Sequence, residues 1–156
     1  MDIAKQFSLE GKVALITGAA YGMVPFMKEK QIGLVNFNSL AGGLLTGKYH
    51  SDQPEEGTRY YKNPNYQKRY WREDNFNAIE AIKNLAEKHG MSTVELGYGW
   101  ILAQKYVTSM LLGFASEEQL RANLVALEKS RLDAGILAAC DEIWDSLKGG
   151  RVAYNR

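Results

Sequence analysis

GLVNFNSLAGGLLTGKY, residues 33–49, is the stretch that decides the fold class of this chain. Its first five residues, Gly33 to Phe37, form a short apolar run that is typical of a strand buried on both faces of a parallel sheet. The run leads into a loop with three glycines, which free the backbone for conformations that other residues avoid. A buried strand that ends in a glycine-rich loop predicts an α/β protein.

A further run, Lys12 to Thr17 (KVALIT), has the same buried-strand pattern, and Val107 to Leu112 is predicted to be a third strand. Helical patterns separate the three runs, and short strands that alternate with helices predict right-handed βα units around a parallel sheet. A closed (β/α)8 barrel needs eight strands and typically about 250 residues. The 156 residues of this chain therefore do not predict a closed barrel on their own.

The helical patterns are marked by caps and apolar stripes. Asp74 is predicted to cap a helix that ends before Gly90, and Ser92 with Glu95 has the spacing of a capping box. Ser116 with Gln119 repeats that spacing before another helix. Further predictions are a short helix from Val24 to Lys30, a long surface loop from Tyr49 to Glu73, and a last helix from about Asp133 that stops at Gly149-Gly150 and carries the stripe Ile136, Cys140, Ile143, Trp144 and Leu147.

Composition excludes several classes of function. The net charge of +1 provides no field for nucleic acid or an anionic membrane. One cysteine, Cys140, and two histidines, His50 and His89, predict neither a disulfide nor a metal centre. The sequence lacks an apolar run of membrane-spanning length, and Met1 to Leu15 lacks the pattern of a signal peptide. We expect a cytoplasmic protein with no metal.

Two loops that follow predicted strands could direct backbone amides at a phosphate. The first holds Gly42-Gly43, and the second leads into the helix that begins near Ser116. Each also has a plain structural interpretation, a tight connection for the first and an ordinary helix cap for the second. Lys48 and Arg59 could pair with phosphate oxygens, or could simply be solvated surface charges.

A longer set of motifs indicates which class of α/β protein this chain resembles. From about residue 23 onward, VPFMKEKQIGLVNFNSLAGGLLTGKY, RYW, LLGFASEEQLRANLVALE and DEIWDSLKGG follow one another in an order that resembles the C-terminal half of an aldo-keto reductase. The aflatoxin-aldehyde reductase branch and its bacterial relatives are the nearest in pattern. The resemblance implies a partial TIM (β/α)8 barrel, with about three parallel strands and flanking helices, in which Gly33 to Phe37 and Val107 to Leu112 are the last two barrel strands.

The resemblance also implies an NADPH site at the C-terminal ends of those two strands. Phe37 would lie beneath the nicotinamide, Asn38 and the backbone of residues 40–44 would line the pyrophosphate, and Lys48 and Arg59 would face phosphates. The implied cofactor-binding set is Phe37, Asn38, Leu40, Ala41, Gly42, Gly43, Leu44, Lys48, Arg59, Gly113, Ser116, Gln119 and Asn123. The sequence departs from the family pattern at Ser39 (usually proline), Ala115 (commonly a serine on the 2'-phosphate) and Ala122 (frequently glutamate), so we expect weak NADPH binding.

The first 22 residues resemble a different family. Phe7 to Gly22, FSLEGKVALITGAAYG, is similar to the opening strand and glycine turn of a short-chain dehydrogenase. Residues 1–22 are thus predicted to be one segment and residues 23–156 an aldo-keto-reductase-like half-barrel. A change of resemblance within one chain is typical of a fusion, a design or a mispredicted gene.

No catalytic set is predicted. The tyrosine, lysine, aspartate and histidine of an aldo-keto reductase lie on earlier barrel strands, and none of the nine tyrosines here has the lysine four residues later that a short-chain dehydrogenase needs. The leading hypothesis is an NADP-binding oxidoreductase fragment that is catalytically incomplete as a single chain. The alternatives are a non-catalytic interaction module that self-associates through open barrel edges, a recombined scaffold without function, and a single-stranded nucleic-acid surface formed by the tyrosines and basic residues of 60–72.

Overall fold

The structure, a computed structural model, describes residues 26, 27 and 29–148, and in this part of the chain two strands form a parallel sheet. Strand β1 is Leu34–Asn36 and strand β2 is Val107–Met110. Their register pairs Leu34 with Val107 and Asn36 with Met110, with an irregularity after Leu34. Both strands lie inside the segments that predicted them, so the parallel α/β arrangement is confirmed at these positions. The prediction that Gly33 to Phe37 is buried on both faces is wrong, because only Leu34 is buried there and Phe37 is exposed. Thr108 and Ser109 of β2 are exposed as well.

The segment between the strands is mainly helical. After β1 the chain forms tight 3-10 turns over Ala41–Thr46. Three helices follow, α1 (Pro64–Tyr70), α2 (Glu73–Lys88) and α3 (Thr93–Leu102). Two more come after β2, α4 (Glu117–Glu128) and α5 (Ala134–Lys148).

Helix α3 begins as the sequence predicted, whereas α2 does not. The Ser92 hydroxyl accepts from the Glu95 amide, and the Glu95 carboxylate accepts from the Ser92 amide, which completes the capping box. The prediction that Asp74 caps α2 is wrong, since the helix begins at Glu73 and its N-cap residue is Arg72. Asp74 instead forms a two-contact ion pair with the Arg72 guanidinium at 2.6 and 2.9 Å.

Helices α2, α3 and α5 enclose one apolar core. Ala86, Leu96, Ile136 and Cys140 are buried there. Two of the five residues of the stripe predicted for α5 are thus confirmed as core, while Ile143, Trp144 and Leu147 are half-buried. A Cβ at Gly99 would lie 2.3 Å from the Ser130 carbonyl oxygen, so only glycine lets α3 approach the connection before α5 this closely. Burial and the neighbouring Asp141 carboxylate raise the pKa of the Cys140 thiol to about 11, which is expected of an inert core cysteine.

The prediction of a long surface loop from Tyr49 to Glu73 is wrong. The segment contains helix α1, and its rings form a second core, the aromatic cluster, in which Tyr60 is fully buried. Tyr60 has the Tyr49 and Trp71 rings at 5.0 Å between centroids, which is ordinary aromatic packing. The members of the aromatic cluster are Tyr49, Tyr60, Tyr66, Tyr70, Trp71 and Phe76.

Several predictions fall on residues that the structure does not describe. These are the strand Lys12 to Thr17, the resemblance over residues 1–22 and the glycine stop of the last helix. Of the predicted helix from Val24 to Lys30, Phe26, Met27 and Glu29 are described and are helical. Among the described residues, no helix is long and apolar enough to cross a membrane.

Candidate cofactor-binding site

Two loops leave the same edge of the sheet. Because β1 and β2 are adjacent and parallel, their C-terminal ends meet, and the Leu111 amide donates to the Asn36 carbonyl at that end. We call residues 37–47 the first loop and residues 112–116 the second loop. The sheet therefore places the two predicted phosphate-facing loops side by side, and ligands of α/β proteins bind at such strand ends.

The first loop is organised around the Asn38 side chain. Asn38 Oδ1 accepts from the Gly42 amide at 2.8 Å, and Asn38 Nδ2 donates to the Tyr70 hydroxyl oxygen at 2.5 Å. The backbone has positive φ at Asn38 (58°), Ala41 (49°) and Gly42 (70°). Left-handed geometry at a non-glycine residue such as Ala41 costs free energy, and it persists where the surroundings hold it.

Tyr60 forms hydrogen bonds with the backbone of the first loop. Its hydroxyl lies 3.2 Å from both the Ala41 and the Gly42 carbonyl oxygens, so one proton is shared between two acceptors. A Cβ at Gly42 would lie 2.8 Å from that hydroxyl. The aromatic cluster therefore determines how closely the glycine backbone can approach it.

The interpretation of the first loop as a set of unpaired amides is wrong for three residues. The Ala41 amide donates to the Asn38 carbonyl, the Gly42 amide to the Asn38 side chain, and the Gly43 amide to the Leu40 carbonyl. These bonds are internal to the loop. A phosphate here would have to share these donors or accept from others.

The remaining predicted residues of this half lie on its surface or in its core. Phe37 follows β1 and exposes 43% of its surface, so a flat ligand can reach its ring. Lys48 has its ammonium 5.0 Å from the Tyr49 ring centroid, and Arg59 has its guanidinium 5.9 Å from that of Tyr66. Both cations are exposed and rest on aromatic rings. Leu44 is buried in the aromatic cluster and can offer only its backbone, while Leu40 is half-buried.

The second loop is held by its own neighbours. Ser116 is the N-cap of α4, and its hydroxyl accepts from the Gln119 amide, as predicted. Gln119 does not complete a capping box, because its side-chain oxygen accepts from the Ala115 amide instead. The Asn123 side chain donates from Nδ2 to the Gly113 carbonyl, so two of the predicted adenosine-end residues are in contact.

The electrostatics of the second loop oppose a phosphate in part. Glu117 and Glu118 are both in the first turn of α4, where they complement the helix dipole but repel an anion. Arg121 pairs with Glu117 at 2.7 Å and neutralises one of these charges. With Glu117 offset by Arg121, the helix dipole favours an anion there and Glu118 disfavours it.

The positions that depart from the family pattern have local roles. Ser39 donates from its hydroxyl to the Asn36 side chain at 2.7 Å, which joins the first loop to the end of β1. Ala115 and Ala122 are exposed, so a polar side chain would fit at either position.

Burial acts against general-acid chemistry at three of the described tyrosines. An acid for neutral pH needs a lowered pKa, whereas burial raises the pKa of Tyr60, Tyr98 and Tyr106. In the same part of the chain there is no cluster of histidine, cysteine and carboxylate side chains that could hold a metal ion.

Two surface concavities lie away from the strand ends. One, of about 330 Å³, is lined by residues that include Asp52, Gln67, Lys68 and Trp71. The other, of about 270 Å³, lies between α2 and α5. Neither includes a predicted cofactor-binding residue, so concavity alone does not identify the site.

A protein-family model matches the chain across both strands and both loops. The model of the aldo/keto reductase family matches residues 12–145, which is most of the chain. The chain belongs to the aldo/keto reductase family. The match begins at residue 12, within the segment that resembles a short-chain dehydrogenase.

The names of three relatives state either this family or a reductase activity. An aldo-keto reductase of Pseudocercospora fijiensis is 33% identical over 144 residues, which cover 85% of this chain and 48% of the relative. L-glyceraldehyde 3-phosphate reductase of Escherichia coli O157:H7 is 30% identical, over 78% of this chain and 36% of the relative. Aflatoxin B1 aldehyde reductase member 2 of Mus musculus is 31% identical, over 79% and 38%. The chain spans less than half the length of each of these relatives.

Sequence reasoning missed Tyr60 and Tyr70 as residues of this site. Both contact the first loop from positions 18 and 32 residues away in sequence. Tyr70 was considered as part of the family motif RYW and of the nucleic-acid surface at residues 60–72, but not as a contact of the first loop. The Asn63-Pro64 pair was an available signal, since asparagine at the N-cap and proline at the first position announce α1.

Proposed function

We propose that this chain provides the cofactor half of an aldo-keto reductase site and binds NADPH at the C-terminal ends of β1 and β2. The observation that carries the proposal is the pairing of these strands, which delivers the first and second loops to one edge. Phe37 would contact the nicotinamide, Asn38 and the first-loop backbone the pyrophosphate, and the second loop the adenosine end.

Binding should be weak. Two positions, Ala115 and Ala122, lack polar contacts that the family pattern has, and first-loop amides already donate internally. Each hydrogen bond to a charged group contributes about 1.5 to 3 kcal/mol, so two missing bonds weaken binding about a hundredfold or more.

Fluorescence titration with NADPH tests the proposal. Lys48→Ala should weaken binding, because Lys48 follows the first loop at the proposed phosphate edge. Lys105→Ala is the matched control, since this exposed lysine precedes β2 and so lies at the opposite end of the sheet. Equal loss in both variants, or sub-micromolar affinity in the parent, would contradict the proposal.

We also propose that the chain alone does not reduce aldehydes. General-acid catalysis contributes about 10² to 10⁴-fold, and the tyrosine and lysine that supply it in the family lie on barrel strands earlier than the two matched here. Absorbance of NADPH should stay constant with succinic semialdehyde and with 4-nitrobenzaldehyde. Turnover that disappears in a Phe37→Ala, Lys48→Ala double variant would reveal an active site and refute this proposal.

A second candidate function is self-association. Phe37, Leu111 and Phe114 expose 43%, 51% and 55% of their surface near the same strand ends, and Leu102 and Leu124 are also exposed. A second copy could cover such apolar groups. Sedimentation should then show a mass that rises with concentration, and a monomer throughout would exclude it.

A further inference from the structure

The Asn38 amide is held at both ends by protein groups. Its oxygen accepts from Gly42 and its nitrogen donates to Tyr70, so the side chain cannot rotate without breaking one of these bonds. Asn38 itself is exposed at the strand end. An exposed side chain restrained in this way is prepared to present a fixed edge to a ligand.

Tyr60 restrains the same loop by donating to the backbone carbonyls of the loop. Its hydroxyl reaches the Ala41 and Gly42 carbonyls, and its own carbonyl accepts from the Gln67 side chain at 2.8 Å. Its side chain is fully buried, and burial raises its pKa, so the hydroxyl remains protonated and able to donate. Loss of a buried hydrogen bond leaves a desolvated partner, which makes this contact costly to break.

Helix α1 connects the two tyrosines. Tyr70 is its last residue, and Gln67, one turn earlier, holds the Tyr60 backbone. The Tyr60 and Tyr70 rings meet edge to face at 6.3 Å. Tyr60 and Tyr70, which are distant from the first loop in sequence, thus hold the Asn38 side chain and the carbonyls of residues 41 and 42.

We propose that Tyr70 and Tyr60 are positioning residues that set the first loop in its cofactor-binding shape before the cofactor arrives. The inference rests on the proposed function, because it assigns these hydroxyls a role in that same site. A loop that is already ordered does not have to lose conformational freedom on binding, which strengthens affinity without any direct contact to the ligand.

Tyr70→Phe isolates the effect, because it removes one hydroxyl and keeps the ring. Tyr66→Phe is the matched control: Tyr66 lies on the same helix with its ring 5.8 Å from that of Tyr70, and its hydroxyl has no hydrogen bond to the first loop among the described residues. Amide hydrogen exchange measured by NMR should be about five- to tenfold faster at Gly42 in Tyr70→Phe. Exchange at Leu111, whose amide belongs to the sheet, should be unchanged and reports the intact fold.

The NADPH dissociation constant is a second measurement that tests the positioning role of Tyr70. Tyr70→Phe should weaken binding about three- to tenfold in the parent and should have no further effect in an Asn38→Ala background. A purely structural role would give the same loss in both backgrounds. Tyr66→Phe should leave the constant unchanged in either.

The outcomes separate the two proposals. If the parent does not bind NADPH, the proposed function fails, and the Gly42 exchange rate alone decides whether Tyr70 restrains the loop. If NADPH binds but Gly42 exchanges equally in the parent and in Tyr70→Phe, the positioning role is overturned. Tyr60→Phe, checked for folding by circular dichroism, should also accelerate Gly42 exchange.

Discussion

The two loops at the strand ends are supported in different ways. The first loop is bonded by Tyr60 and Tyr70, which lie 18 and 32 residues away, and one of its glycines is buried against them. The second loop is bonded by Gln119 and Asn123, which lie within ten residues, and it is exposed. One loop therefore depends on the tertiary core, whereas the other depends on the first turns of one helix.

We expect the two loops to contribute differently to the proposed nucleotide site. A loop held by a core keeps its shape when the ligand is absent, and a loop held locally can adjust at small cost. We expect substitutions in the first loop to alter folding and binding together. Substitutions in the second loop should alter binding with little effect on stability.

The largest contrast should come from one methyl group placed in each loop. Gly42→Ala introduces a Cβ 2.8 Å from the Tyr60 hydroxyl at a φ of +70°, whereas Gly113→Ala meets nothing within 4 Å. Backbone strain and overpacking together should cost Gly42→Ala about 2 to 4 kcal/mol of unfolding free energy. Gly113→Ala should change it by less than about 0.5 kcal/mol. Urea unfolding measures both, and similar losses would show that the loops are supported alike.

A gain in affinity should be possible in the second loop. Ala115→Ser restores the side chain that the family commonly has near the 2'-phosphate, and the position is exposed. One added hydrogen bond to a charged group should strengthen NADPH binding about tenfold or more. NADH, which lacks that phosphate, is the control ligand and should bind as before. Equal strengthening for both cofactors would place Ala115 elsewhere than the 2'-phosphate.

Alkaline pH should weaken the support of the first loop. Burial, reinforced by Tyr49 and Tyr70, raises the pKa of Tyr60, so the native state keeps a proton that the unfolded state loses. The resulting stability is present below the ordinary tyrosine pKa of about 10 and is lost as the pH rises above it.

One such group can lower the unfolding free energy by at most about 1.4 kcal/mol per pH unit. Urea unfolding between pH 9 and 11 should show the decline, with a smaller slope in Tyr60→Phe. An unchanged slope in that variant would mean that Tyr60 ionises as readily in the native state as in the unfolded chain.

The smallest effects should come from charge at the start of α4. Glu118→Gln removes an anion from the first turn, which should cost about 0.3 to 1 kcal/mol of stability and strengthen NADPH binding about two- to fivefold at low salt. Glu128→Gln, at the last residue of the same helix, is the control. It should raise stability slightly and leave the affinity unchanged. A gain in affinity from both would indicate a general charge effect.

The sequence predicted best where the signal is local. Both described strands lie in the short segments that predicted them, and the Ser92–Glu95 box depends on three residues of spacing, so neither needs tertiary information. The prediction of the N-cap of α2 was wrong, although helix capping is also a local signal. Asp74 was drawn into an ion pair with Arg72, and the helix began one residue earlier.

The aromatic cluster could not be predicted in the same way. Its tyrosines follow neither a period of 2 nor one of 3.6, because they converge from a turn, a loop and helix α1 rather than from one face of an element. Their polar hydroxyls also favoured a surface interpretation. The partners of Tyr60 and Tyr70 are loop atoms that become neighbours only when the loop has folded.

The buried thiol of Cys140 offers a practical route for labelling the protein. It is the only cysteine in the chain, and its side chain packs between helices, where a maleimide cannot readily reach it. A cysteine introduced at an exposed position such as Ala115 or Arg59 would then be the single reactive thiol, with no need to replace the natural one. A fluorophore attached at each position in turn could report nucleotide arrival at one loop or the other within an otherwise unaltered core.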